Sequence, residues 1–260
     1  MRNRAAWRPS KFEIDRAGKW RGSRSEVPIT SRLAADIAAG FYYQTIHEHA
    51  RGRLIDLGCG KVPLYGMYKD LVSDVVCVDW PNSLHDSAHT DVFADLNHPL
   101  DVEETGFDTA IASDVIEHLH TPEALFASAA RLLRPQGKLL VGVPFLYWIH
   151  EMPHDFHRYT RFALEKMTRD AGLTVISLTA AGGSPEVLSD MATKSLGSSK
   201  IISSAMYGVS RALLTIPLVK RLSAATREAM PMAYFLVAQK LPDGSAPDTE
   251  AAAGARFTTG

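Results

Sequence analysis

A short stretch between residues 150 and 157 holds three histidines and two acids, side chains that can transfer protons or bind metals. The sequence of residues 150–154, His-Glu-Met-Pro-His, matches the pattern with which zinc proteases place two histidines on one helix face. Pro153 falls inside that turn, where its ring clashes with the preceding turn and removes a hydrogen bond. Because a strand-like segment and Pro144 come just before, we predict a loop here and exclude the protease.

The histidines of this loop suit proton transfer, because an imidazole titrates near neutral pH. We predict that one of them removes a proton from a hydroxyl or amine group of a substrate. His150 and His154 are favoured because they lie nearest the end of the preceding strand, and His157 is the third candidate. The neighbours predicted to bind the substrate are Tyr147, Trp148, Arg158 and Tyr159.

Two other interpretations of the loop stay open. In the first, Asp155, Arg158 and Tyr159 serve only to fix the loop against the next helix. In the second, a non-helical metal site supports a metal-dependent hydrolase, although only the types of ligand favour it. The ligands of that site would be His150, His154, Asp155 and His157. We predict no metal.

A second concentration of chemistry lies in residues 54–60, where a buried strand runs into a turn with two glycines. Glycine adopts positive φ and lets a ligand approach the backbone closely. Asp79 ends the next strand about 20 residues further on, where an acid can accept hydrogen bonds from ribose hydroxyls. The dinucleotide-binding pattern needs glycine or alanine at the position of Pro63, which argues against a nicotinamide cofactor.

The elements that position these residues alternate along the chain. The strand-like segments are Arg53–Leu57, Val75–Asp79, Asp91–Ala94, Phe107–Ser113, Lys138–Val143, Leu173–Leu178 and Ala233–Gln239. Helical spacing runs from Thr30 or Ser31 to His49, through Pro122–Leu133 and through Thr160–Ala171. This alternation predicts an α/β fold whose mostly parallel sheet carries helices on both faces, with the ligand site at the carboxyl ends of the strands.

Five segments resemble, in the same order, the motifs of class I S-adenosylmethionine-dependent methyltransferases of the type 11 group. They are Asp56–Gly60, Val78–Trp80, Ala94–Leu96, Phe107–Leu119 and Leu132–Leu139. The resemblance covers roughly residues 50–180 and the last strand. It implies a Rossmann-like fold, with a seven-stranded sheet, a reversed last strand and a helical insert before it. It also implies O- or N-methylation of a small-molecule, sugar or lipid-linked acceptor.

The same resemblance implies that S-adenosyl-L-methionine is the cofactor. Asp79 would hold the ribose, whereas Asp95 and the backbone of Leu96 would bind the adenine edge. The residues implied at the cofactor are Asp56, Gly58, Cys59, Gly60, Asp79, Trp80, Asp95, Leu96, Ser113 and Val115. His118 becomes a further catalytic candidate, because many type 11 relatives carry histidine there. One departure is Pro63, where many members have a third glycine.

The family resemblance leaves the biological role open. Loops with the core Pro-x-Asp-x-x-Arg-Tyr-Thr, present here at residues 153–160, occur in methyltransferase-like proteins encoded with surface-glycan synthesis. A catalytically inactive module that only binds S-adenosylmethionine is an alternative, because a fold alone does not guarantee chemistry.

Three segments flank or interrupt the predicted methyltransferase domain at 29–240. Residues 1–28 are basic and predict a solvated, partly disordered arm, or else a segment that folds over an anionic acceptor. A helical insert is predicted at residues 183–230. It is either a lid packed on the domain or a helix on a membrane surface, and the second alternative rests on its apolar and basic part, 199–222. Residues 241–260 predict a disordered tail.

Composition limits the class of protein. The chain has 260 residues and 46% hydrophobic content, which suits one domain with appendages. A formal net charge of -1 gives no general attraction for nucleic acid. Cys59 and Cys77 are too few for a disulfide framework and fit a reducing compartment, so we predict a cytoplasmic enzyme. The oligomeric state stays open.

Overall fold

The computed structural model describes residues 1–83, 85, 87–197 and 199–242. In chain order the strands are β1 (Phe12–Ile14), β2 (Trp20–Gly22), β3 (Gly52–Leu57), β4 (Val72–Asp79), β5 (Val92–Phe93), β6 (Phe107–Ser113), β7 (Leu133–Pro144), β8 (Leu173–Ala181) and β9 (Ala233–Lys240). The helices are α1 (Arg32–His49), α2 (Tyr65–Tyr68), α3 (Pro122–Leu132), α4 (Arg161–Asp170), α5 (Ser184–Leu196), α6 (Lys200–Leu213) and α7 (Pro217–Thr226). Residues 243–260 of the predicted tail lie outside the described residues.

The main sheet has seven strands in the order β5-β4-β3-β6-β7-β9-β8. All neighbours are parallel except β9, which runs antiparallel to both β7 and β8. This confirms the predicted class I fold with its reversed last strand. The strand order changes direction between β3 and β6, and ligands bind at such switch points in open α/β sheets.

Buried apolar side chains cover both faces of the sheet, as predicted. One cluster includes Phe107 of β6, Phe126 of α3 and Leu164 of α4. The opposite cluster joins Leu54 of β3 to Tyr42 of α1. Burial on both faces explains why the central strands are continuous apolar runs rather than alternating ones.

The prediction of a solvated, partly disordered arm at residues 1–28 is wrong. β1 and β2 form an antiparallel hairpin, and the side chain of Phe12 is 1% exposed. The Trp7 ring meets the Tyr65 ring edge-on at 5.1 Å, and the N-terminal ammonium lies 2.8 Å from Asp91 Oδ2. The arm is ordered because Phe12 is buried and Trp7 and Trp20 pack partly buried against the domain. The many arginines around them make the segment look solvated in the sequence.

Residues 183–230 form the predicted helical insert, with α5, α6 and α7 between β8 and β9. α5 packs against α1, and the buried ion pair between Lys194 and Asp190 lies on it. Lys194 Nζ also lies 4.0 Å from the centre of the Tyr147 ring. Among the described helices, no single one is long and apolar enough to cross a membrane, whereas α6 and α7 together pass that test with a 90° bend between them.

Candidate functional site

A cavity of about 810 Å³ opens at the carboxyl ends of β3, β4, β6 and β7. It runs from the glycine turn after β3 to the histidine loop after β7. Residues of the N-terminal arm and of α1 complete its wall, among them Lys11, Val27 and Ala38. The described residues of 183–230 do not line it, and α5 of the insert contacts α1, which does.

The turn after β3 presents its backbone to the cavity. Gly58 and Gly60 have φ of 75° and 48°, which a residue with a side chain adopts only with strain. A Cβ on Gly58 would lie 2.4 Å from Val115 Cγ2. The turn therefore needs glycine at position 58, both for its conformation and for space beside β6.

Asp79 lies at the end of β4 and lines the same part of the cavity. Its Oδ1 accepts a hydrogen bond from the Trp80 amide at 2.8 Å, and its Oδ2 accepts one from the Gly60 amide at 3.2 Å. Burial raises the pKa of this carboxyl, and the backbone donors only partly offset it. The carboxylate is thus held in place and retains lone pairs for hydroxyl donors.

The remaining residues predicted at the cofactor divide into two groups. Cys59, Trp80, Leu96, Ser113 and Val115 line the cavity, as does Asp95. Asp95 also forms a local turn in which its Oδ1 accepts from the Asn97 amide at 2.9 Å. Asp56 does not line the cavity. It lies beneath the glycine turn, where Tyr68 Oη donates to its Oδ2 at 2.9 Å and burial raises its pKa to about 7.

A polar cluster of Glu117, His118 and His150 also lines the cavity. Glu117 Oε1 lies 3.7 Å from His118 Nε2 and 3.7 Å from His150 Nε2. The Glu117 side chain is 0% exposed, and neither carboxylate oxygen has a hydrogen-bond partner among the described residues. Burial raises the pKa of Glu117, whereas the adjacent carboxylates raise the pKa of His150 against the effect of burial.

The histidine loop is held by an ion pair between Asp155 and Arg158. The guanidinium donates to both carboxylate oxygens, at 2.6 and 2.8 Å, and also to the Trp148 carbonyl at 2.9 Å. Asp155 Oδ2 in turn accepts from the His150 amide at 2.8 Å. Arg158 hydrogen bonds and the His150 amide hold the pKa of Asp155 at about 2 in spite of burial. The pair therefore fixes the backbone that carries His150.

Comparison with known proteins identifies the family of the chain. Residues 29–178, more than half of the chain, match the family model described as a methyltransferase domain. The chain belongs to the class I S-adenosylmethionine-dependent methyltransferase family. The methyl donor of this family is S-adenosyl-L-methionine, and the glycine turn and buried Asp79 described above fit it. The methyltransferase fold thus accounts for the predicted seven-stranded sheet with its reversed last strand.

A curated relative is the ubiquinone biosynthesis O-methyltransferase of Xanthomonas euvesicatoria pv. vesicatoria, 30% identical over 111 residues. The match covers 39% of this chain and 46% of the relative, so the chain spans about half the length of the curated relatives it matches. A solved methyltransferase from Mesorhizobium loti is similar with a TM-score of 0.52 and 15% identity, over 80% of this chain and 100% of that one. The geranyl diphosphate C-methyltransferase of Streptomyces coelicolor A3(2) has a TM-score of 0.53 at 12% identity, over 92% and 95% of the two chains. These two structures show the fold alone.

The structure of the methyltransferase separates the predicted catalytic and acceptor-binding residues. His118, His150, His154 and Tyr147 line the cavity, and the His154 ring meets the Trp80 ring edge-on at 5.3 Å. The cavity wall does not include His157, Trp148, Arg158 or Tyr159. Arg158 is engaged in the loop, and Tyr159 Oη donates to the Ile116 carbonyl at 2.9 Å. The contacts of Asp155, Arg158 and Tyr159 agree with the alternative interpretation that these residues fix the loop.

Sequence reasoning missed three groups of this methyltransferase site. Glu117 precedes a predicted histidine within a matched motif, but nothing in the pattern shows that His150 would approach it. Lys11, directly before β1, reaches the cavity from a segment predicted to be disordered in part. Glu151 Oε1 lies 3.2 Å from His85 Nε2, and the hydrogen bond from this histidine lowers the pKa of Glu151 to about 2.

Proposed function

We propose that this methyltransferase transfers the methyl group of S-adenosylmethionine to a hydroxyl oxygen of a small molecule. The observation that carries the proposal is that one cavity joins the glycine turn and Asp79 to the cluster of Glu117, His118 and His150. A hydroxyl acceptor needs its proton removed, and the cluster supplies a buried carboxylate and two imidazoles for that purpose. The curated relative's description as an O-methyltransferase supports the same atom.

When bound, S-adenosylmethionine supplies an electrophilic methyl group on a positively charged sulfur. The glycine turn and Asp79 would hold this group, so that its methyl could pass to the acceptor oxygen and leave S-adenosylhomocysteine. The hydroxyl proton leaves at the end of the cavity where His118, His150 and His154 lie. The protein contributes by fixing the reacting atoms at short range and by excluding bulk water.

The walls between the two ends favour an acceptor with an apolar body. Ile37 and Ala38 of α1, Phe156 of the loop, and Met232 and Phe235 at β9 line this region. Apolar walls with a few convergent polar groups are typical of small-molecule sites. We therefore propose a hydroxylated aromatic or prenylated acceptor in preference to a free sugar.

A lipid-linked acceptor fits one further surface. On α6 and α7, Ile201 is 82% exposed and Leu218 is 74% exposed, and basic residues lie among these apolar side chains. The basic residues are Lys200, Arg211, Lys220 and Arg221. We propose that this surface rests on anionic lipid headgroups, since exposed apolar side chains flanked by cations favour an interfacial position. Cys59 and Cys77 are free and buried, which supports the cytoplasmic side of such a membrane.

The reaction is tested by incubating the protein with S-adenosylmethionine and a panel of phenols, catechols, prenylated phenols and amines. Mass spectrometry should show S-adenosylhomocysteine together with an O-methylated acceptor. N-methylation alone would contradict the choice of atom, and failure of S-adenosylhomocysteine to bind in calorimetry would contradict the proposal as a whole.

The membrane surface is tested by flotation with phosphatidylglycerol vesicles and with phosphatidylcholine vesicles. The protein should float with the anionic vesicles, and the double variant Ile201→Ser, Leu218→Ser should not. If the wild type stays in solution and sediments as a dimer that the variant dissociates, the surface binds a second copy and the lipid proposal is wrong.

A further inference from the structure

We propose that Glu117, His118 and His150 hold a divalent transition-metal ion at the acceptor end of the cavity. The role of this ion in catalysis rests on the proposed methyl transfer, but the site itself follows from side-chain geometry. One carboxylate and two imidazoles from two different loops converge there, and each offers one ligand atom within 4.8 Å of the others.

The separations suit a metal ion that draws the three ligands together slightly. Glu117 Oε1 lies 3.7 Å from each of the two Nε2 atoms. Zinc binds nitrogen and carboxylate oxygen at about 2.0–2.2 Å, which places tetrahedral ligands roughly 3.4 Å apart. The two pairs that include Glu117 therefore need to close by only a few tenths of an ångström, and the two imidazole nitrogens lie within 4.8 Å of each other.

The Nδ1 atoms of His118 and His150 both lie close to oxygen atoms that act as acceptors. His118 Nδ1 lies 2.9 Å from the carbonyl oxygen of His154, which can only accept, so Nδ1 carries the hydrogen. His150 Nδ1 faces Asp155 Oδ2 at 3.2 Å, a group that also only accepts when ionised. When the hydrogen is on Nδ1, the Nε2 atom of each neutral ring carries a lone pair that can bind a cation, and it lies 3.7 Å from Glu117 Oε1. Partners of this kind at the outer nitrogen are the usual support of metal-binding histidines.

The carboxylate of Glu117 has no hydrogen-bond donor among the described residues, and the His118 and His150 rings compensate its charge only when they are protonated. Its side chain is 0% exposed, and both oxygens have no hydrogen-bond donor. An ionised carboxylate buried in this way is costly, because burial removes water without supplying a donor or a cation. A bound divalent ion would supply the missing positive charge at Oε1.

The types of ligand indicate which ions fit. Imidazole nitrogen favours zinc and neighbouring first-row transition metals, whereas magnesium and calcium prefer sites built from oxygen alone. Three protein ligands leave at least one coordination position facing the cavity, as in catalytic zinc sites. Glu151 Oε2, which lies 3.7 Å from His118 Nε2, adds a further negative charge at the rim.

In the proposed reaction the open position takes the hydroxyl oxygen of the acceptor. The ion would lower the pKa of that hydroxyl, and His154, which lines the cavity and is not a ligand, would take the proton in place of His118 and His150. The oxygen would then bond to the methyl carbon as the carbon–sulfur bond breaks with its electron pair left on sulfur. The number of atoms and electrons is unchanged by the ion, which is neither oxidised nor reduced.

The test uses the full chain after removal of metals with a chelator. Zn²⁺ alone is titrated in calorimetry, and Co²⁺ alone is followed by visible absorption, which reports on the geometry of its ligands. We expect one ion per chain, and at least about 10-fold weaker binding in Glu117→Gln and in His150→Asn, each tested separately. His98→Asn is the control, because His98 is 72% exposed and outside the cluster. Equal binding by the wild type and both cluster variants, or no binding at one equivalent, would overturn the site.

Failure of the metal site and failure of the proposed function give different results. Glu117→Gln should lose the ion and still bind S-adenosylhomocysteine, whereas Asp79→Asn should lose S-adenosylhomocysteine and still bind the ion. Full methyl transfer by chelated protein that binds no Zn²⁺ would leave the proposed function standing and remove the ion. One tightly bound ion in a protein that binds no adenosyl ligand would do the opposite.

Discussion

Lys11 Nζ lies 2.7 Å from Asp114 Oδ2, so the N-terminal arm reaches the cavity and pairs with the residue that follows β6. Asp114 has a φ of 52°, and its carboxylate is one-quarter exposed. Burial disfavours the ammonium of Lys11, but the charge of Asp114 outweighs it and raises the pKa of Lys11. The arm thereby contributes a cation to the wall beside the cofactor turn.

Replacing Lys11 tests whether this cation serves the cofactor. We expect Lys11→Met to weaken S-adenosylhomocysteine binding by several-fold, because the amino-acid part of the ligand carries a carboxylate and the variant leaves Asp114 unpaired. Calorimetry measures the dissociation constant. Lys61→Met is the matched control, since Lys61 also lines the cavity but pairs with Glu26 at 3.2 Å. An equal loss of affinity for S-adenosylhomocysteine in both variants would mean that binding depends on the net positive charge around the cavity and not on Lys11 in particular.

Asp79 should dominate the affinity for adenosyl ligands. Hydrogen bonds to a charged group contribute about 1.5–3 kcal/mol, so Asp79→Ala should raise the dissociation constant of S-adenosylhomocysteine roughly 10- to 150-fold. The measurement is calorimetry on folded protein, with Asp74→Ala as a control because Asp74 is half-exposed at the other end of β4. Unchanged affinity in Asp79→Ala would show that the ribose lies elsewhere.

Arg158 is expected to act on turnover through the loop. Arg158→Lys keeps the charge but loses the two-pronged contact with Asp155 and the hydrogen bond to Trp148, so His150 becomes less well positioned. We expect kcat to fall about 10-fold or more while the affinity for S-adenosylhomocysteine stays the same. Arg161→Lys, at the exposed pair with Glu228, should leave both quantities unchanged. A parallel loss of cofactor affinity in Arg158→Lys would point to wider unfolding.

The buried carboxyl of Asp56 should make the free energy of unfolding depend on pH, and a single variant can separate its contribution from that of other groups. Its pKa is raised from 3.8 to about 7 by burial, so the folded protein keeps its proton over a range in which the unfolded chain has lost it. The contribution of protonated Asp56 to the free energy of unfolding is therefore fully present below about pH 4. It is lost as the pH rises to 7, by up to about 4 kcal/mol. Asp56→Asn should remove that slope, because the amide does not titrate. Denaturant unfolding from pH 5 to 8 measures it, and identical slopes in both proteins would show that Asp56 is ionised in the fold.

Local patterns were enough to predict the sheet and the cofactor turn. The run from Leu54 to Gly60 and the acid at Asp79 are encoded by neighbouring residues, because strand burial and positive φ are properties of a short segment. The helix predicted at Pro122–Leu133 ends one residue earlier, at Leu132, because Leu133 begins β7. Such a boundary depends on whether the backbone groups of the last residue bond within the helix or to a neighbouring strand.

Only the tertiary structure decided what the histidine loop does. Glu117 and His150 are separated by more than thirty residues, and their approach depends on how the loops after β6 and β7 leave the sheet. Arg158 carries the right charge for an anionic acceptor, yet its donors are engaged by Asp155 three residues away. Residue type sets which interactions a side chain can make, whereas the direction of each loop sets which partner reaches it first. The sequence of this protein therefore determined its fold and its methyl donor, and the packing of its loops determined which side chains line the cavity.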